Sequence, residues 1–132
     1  MNKKTSEIIK KISQYEDISD RLENLKDIYK GETCYIVSAG PSLKDIETDE
    51  LRDKLKDKLV ISIKQSFNLL KGIADFHVLN FTNFEPYDYS DSEDTMVVWE
   101  VFEQYHPQMI LDNNFKCELM LPCVGNHETD LV

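Results

Sequence analysis

Apolar residues recur along the N-terminal part of the chain at three- and four-residue spacings. Ile8, Ile12, Tyr15, Leu22, Leu25 and Tyr29 carry this stripe, with Lys, Glu and Asp between them. The periodicity predicts an amphipathic helix over residues 6–29, broken near Glu16–Ser19 and closed by Gly31 in a left-handed cap. From position 34 the pattern changes to short apolar, β-branched runs. Cys34–Val37, Leu59–Ile63 and Asp75–Leu79 read as strands, the first of them a buried one with Cys34 in the core. A helix is expected from Pro41, capped by Ser42 with Asp45 completing a capping box. Thr48 caps a second, charged helix reaching about Lys56, with Leu51 and Leu55 on one face. Ser66–Leu70 forms a short helix closed by Gly72. Further strands are expected at Thr95–Phe102, Met109–Leu111 and Lys116–Leu121. Strands alternating with helices place the chain in the α/β class, with a mostly parallel sheet and right-handed crossovers.

Composition narrows the picture. The chain has 132 residues, 41% apolar and 30% charged, enough for one modest domain. A formal charge of −10 argues against a nucleic-acid backbone or an anionic membrane as partner, because either would meet a repulsive field. No apolar run approaches the roughly 20 residues a membrane span needs. The start Met1–Ser6 is not followed by the apolar core of a signal peptide, so a cytoplasmic location is expected. The cysteines Cys34, Cys117 and Cys123 lack the paired short spacings of a zinc site, and no metal site is expected, His127 notwithstanding.

The candidate chemistry concentrates where the first strand ends. Ser38-Ala39-Gly40-Pro41-Ser42-Leu43 takes an apolar strand through a glycine turn into a helix start. Unpaired N–H groups at such a start attract anions, and a glycine lets a ligand approach the backbone. In a parallel sheet, ligands sit beyond the carboxyl ends of the strands. Lys64 and Asn80 fall at the expected ends of the second and third strands, beside Gln65 and Asn83. The acidic connection Pro86–Asp94 reads as a solvated loop. Of the histidines, His77 reads as a packed strand residue, His106 as part of a turn before Pro107, and His127 as a weak candidate base. Ser42 lacks the glycine–x–serine–x–glycine elbow of a nucleophile.

The run Ser38–Leu43, with the block Val60–Asn80, resembles the glycine-proline-serine-leucine signature of a group of Rossmann-like transferases. The group comprises bacterial sialyltransferases, motility-accessory-factor flagellin glycosyltransferases and archaeal 6-hydroxymethylpterin diphosphokinase-like proteins. The resemblance covers roughly residues 33–85. It implies a Rossmann-like nucleotide-binding domain over 31–132, following an N-terminal helix over 1–30, and lacking the second half that such proteins carry. It also implies a nucleotide-sugar donor, with a glycan acceptor and a role in surface glycan synthesis. The nucleotide would lie against Ser38, Ala39, Gly40, Pro41, Ser42, Leu43, Lys64, Gln65, Asn80 and Asn83. Sialyltransferases carry asparagine at the positions of Ala39 and Lys64, and here Lys64 is read as a counter-charge for phosphate. The diphosphokinase-like pattern would instead imply ATP and Mg2+. A non-catalytic binding or assembly module, forming homo-oligomers through the N-terminal helix, is the third reading.

Overall fold

The computed structural model describes residues 3–81, 86–102 and 105–122. Asn83, Cys123 and His127 lie outside the described residues, so the expectations placed on them have no structural counterpart. The architecture is α/β and Rossmann-like. Five strands, β1 (Cys34–Val37), β2 (Leu59–Ile63), β3 (Phe76–Leu79), β4 (Met96–Val101) and β5 (Leu119–Pro122), form one sheet in sequential order. Every neighbouring pair is parallel.

Alternation along the strands divides the core between two faces. On one face, Val60 packs with Leu55, Phe67 and Leu70, while Val97, Trp99 and Val101 pack with Ile110. These partners come from the connections: α3 (Thr48–Leu55), the 3-10 helix Lys64–Leu69 with Leu70 just after it, and α4 (His106–Asp112). Sequential order with crossovers of constant hand requires this, since each connection then lands on the same side. The other face, at Met96, Val98 and Leu119, is covered by Ile8 and Ile12 of α1 (Lys3–Ile12), with Leu22 and Leu25 of α2 (Ile18–Leu25) alongside.

The expected break in the N-terminal helix is present. It separates α1 from α2, and Asp17 caps α2 by accepting from the Ser19 N–H at 2.7 Å. Gly31 does adopt a left-handed φ of 82°, but α2 has already ended at Leu25, so the glycine serves a later turn. Met109–Leu111, expected as a strand, belongs to α4. Pro107 sits in the first turn of that helix, where a missing N–H costs nothing and the fixed φ favours a start. His106 is accordingly a buried helical residue. Glu47 caps α3 by accepting from the Asp49 and Glu50 N–H groups, and Thr48 is the first helical residue.

Two carboxylates extend the ladder at the amino ends of the strands. The Asp75 N–H donates to the Val60 carbonyl, and the Val60 N–H donates back to Asp75 Oδ2 at 2.8 Å. Glu118 repeats the device on β4: its N–H donates to the Val97 carbonyl, and Val97 N–H donates to Glu118 Oε2 at 2.9 Å. Both are tied to the N-terminal helices. The Thr5 hydroxyl donates to Asp75 Oδ1 at 2.8 Å, and Arg21 donates to the Glu118 carbonyl at 2.8 Å.

Candidate functional site

Beyond the carboxyl ends of β1 and β2 lies a cleft of about 470 Å³. One lip is the segment after β1, contributing Ala39, Gly40, Pro41, Leu43 and Lys44; the other is the 3-10 helix after β2, contributing Gln65 and Leu69. Five residues expected from the sequence therefore meet in one place. Ser38 and Ser42 line an adjoining groove of about 280 Å³ with Gly40 and Leu43. Lys64 and Asn80, both partly buried at the ends of β2 and β3, do not line the cleft. The cation on its wall is Lys44.

The first lip is built differently from the expectation. Pro41–Asp45 is a 3-10 helix with Gly40 at its N-cap position and no side-chain cap, so the Ser42–Asp45 capping box does not form. Gly40 has φ −77° and ψ 166°, an extended conformation open to any residue. A Cβ built there would meet nothing within 4 Å. The fold does not require this glycine, and its absent side chain leaves room on the cleft wall for a ligand.

The second lip is held from behind by buried polar groups. Ser66 is fully buried; its hydroxyl donates to the Val37 carbonyl at 2.7 Å and accepts from the Ile63 N–H at 2.9 Å. One side chain thus fixes the end of β1 against the end of β2. Lys64 adopts a left-handed φ of 51°, unusual for a residue with a Cβ. Its carbonyl is engaged by His77 Nε2 at 2.9 Å. Because a carbonyl only accepts, Nε2 carries the proton, and Nδ1 must accept from the Tyr89 hydroxyl at 2.7 Å. His77 also stacks on Phe67, with ring centroids 4.4 Å apart. Burial pushes the His77 pKa down to about 4, against a smaller upward effect of the Lys64 carbonyl. Burial also raises the Tyr89 phenol above its usual range. The ring is a neutral spacer between the connection at Tyr89 and the turn at Lys64, as its packed reading implied. Arg52 of α3 completes the support by donating to the Leu69 and Lys71 carbonyls at 3.1 and 2.9 Å.

Ser66, Tyr89 and Arg52 were not among the expected site residues. Ser66 carried a legible signal, a serine three positions past a strand end, where a hydroxyl can close a turn. Tyr89 and Arg52 act across gaps in sequence that no local pattern spans. Chemically, the cleft offers an apolar floor, one ammonium and one amide. Among the described residues no histidine or carboxylate lines it, and no group of three or more metal-ligating side chains occurs. Cys34, expected in the core, is exposed on β1, whereas Cys117 is mostly buried and its thiol is pushed up to about 12, chiefly by burial. None of the described helices is long and apolar enough to cross a membrane. No family model, curated protein or solved structure matches the chain.

Proposed function

We propose that the chain is a nucleotide-binding domain that holds a nucleotide-sugar donor in the cleft between the ends of β1 and β2, in the service of glycan synthesis. The observation that carries this reading is the convergence of Ala39, Gly40, Pro41, Leu43 and Gln65 on one cleft at the carboxyl edge of a parallel sheet. That edge is where α/β sheets take their ligands. The apolar lining suits a base or sugar face, Lys44 suits a phosphate, and Gln65 can donate to and accept from a base edge. Among the described residues the cleft wall carries no histidine or carboxylate, so the activity assigned to them is donor binding, with acid–base steps of transfer requiring groups from elsewhere.

Titration calorimetry with CMP-, UDP- and GDP-sugars, and with ATP and Mg2+, tests the reading. One nucleotide-sugar is expected to bind with a dissociation constant below millimolar. Gly40→Val should weaken it at least about tenfold while leaving the circular dichroism unchanged, since Gly40 lines the cleft and a Cβ there meets no protein atom within 4 Å. Binding of ATP with Mg2+ alone would favour the diphosphokinase-like reading. No binding of any nucleotide would sink both.

A further inference from the structure

The groove that adjoins the cleft runs beside a strand with an open edge. Among the described residues β1 pairs only with β2. Cys34, Tyr35 and Ile36 are exposed, Ile36 at 61%. Edge strands are ordinarily blunted by charge, proline or a bulge, because an unpaired row of N–H and C=O groups templates further pairing. Cys-Tyr-Ile-Val carries no charge and no proline. Its composition is that of a strand covered on both sides.

The surroundings say what would cover it. Ile36, Val37, Leu43 and Ile46 line the groove of about 280 Å³, and Ile46 is itself 40% exposed. Ile46 and Leu51 also line a second depression of about 300 Å³, whose other walls are Asp45, Glu47, Glu50 and Lys54. The two depressions share those residues, so an apolar groove opens onto a rim of three carboxylates and one lysine. That lysine is already paired with Glu50 at 3.0 Å.

We propose that β1 is a docking edge for an extended, apolar segment of a partner protein whose flank is basic. The segment would add a sixth strand to the sheet. Main-chain bonds to β1 supply its affinity, alternate side chains enter the groove beside Val37 and Ile46 while those between them pack on Ile36 at the sheet's other face, and the basic flank meets Asp45, Glu47 and Glu50. A second copy of this chain fits the edge less well, since it brings the same acidic rim and a formal charge of −10.

Fluorescence anisotropy on the intact chain tests this with a labelled peptide of alternating valine and threonine that ends in lysines. Saturable binding is expected, weakened at least about tenfold when the lysines are replaced by glutamates. Ile36→Ser should lower affinity by a similar factor with unchanged circular dichroism, because the side chain is exposed and its loss removes no core contact. N-methylating one alternating set of peptide nitrogens should abolish binding, while the other set is tolerated. Absence of saturation at millimolar peptide overturns the proposal. So does equal binding of both N-methylated peptides, which would mean contact without strand addition. A dimeric mass in light scattering that Ile36→Ser reduces to a monomer would assign the edge to a second copy, and overturns it too.

Discussion

At the scale of single residues, buried polar side chains shape the site more than the mostly exposed segment Ser38–Leu43 does. His77 is the clearest case. It is completely buried and spans from Tyr89 to the strained turn at Lys64. Its pKa falls from 6.5 unfolded to about 4 folded, so the unfolded chain binds the proton more tightly. The stability associated with the neutral ring is therefore complete above pH 6.5 and is lost as pH falls toward 4. The shift corresponds to about 3 kcal/mol across that window. Urea denaturation at pH 7 and at pH 4.5 should show this acid loss in the native chain. In His77→Gln, whose amide does not titrate, the loss should shrink by roughly 2 kcal/mol. An unchanged difference would mean that carboxylates elsewhere account for the acid sensitivity.

At the scale of elements, the amino ends of the strands serve stability and the carboxyl ends leave room for a ligand. Asp75 accepts from the Val60 N–H and the Thr5 hydroxyl, joining β2 and the start of β3 to α1. Asp75→Ala leaves a buried N–H without its acceptor and should cost about 3 kcal/mol, read as a lower urea midpoint. Thr5→Val should cost about 1 kcal/mol by the same measurement. If Asp75 acts through this junction, the two losses fall short of additivity in the double variant. Purely additive losses would show that the pair is not coupled. Nucleotide affinity should survive Thr5→Val, since Thr5 lies among the ties at the opposite edge of the sheet from the cleft. The elements also show where sequence reading failed. Met109–Leu111 has the β-branched and apolar character of a strand, yet Pro107 starts a helix whose buried residue Ile110 packs on the sheet. A run of three apolar residues fits either period, and the packing partner decides.

At the scale of the whole molecule, the N-terminal helices are one of the covering layers of the sheet. Ile8 and Ile12 are buried against Met96, Val98 and Leu119. Deleting residues 1–30 should therefore expose the sheet face, raising the fluorescence of a hydrophobic dye severalfold and abolishing cooperative unfolding. A truncated chain that keeps its urea midpoint would instead make the helices dispensable for the fold. Among the described residues, the open edge of β1 and the cleft beyond its carboxyl end lie side by side. One surface thus carries both the proposed ligand and the proposed partner.

The order of strands and helices as far as β4, the α/β class and the position of the segment that forms the first cleft lip were legible in the sequence, because periodicity and glycine, proline and serine placement are local properties. Leu59–Ile63 reads as a strand from its own residues, and it is one. The sequence by itself determined that Ser38–Leu43 follows a strand and begins a helical turn. Only the tertiary structure decided that the turn is a 3-10 helix, that Gly40 needs no special backbone freedom, and that Lys44 rather than Lys64 reaches the cleft. The same holds for β1. Its four apolar residues read as a buried strand, and whether such a strand is central or at the edge depends on what packs beside it, a long-range fact that no local pattern encodes.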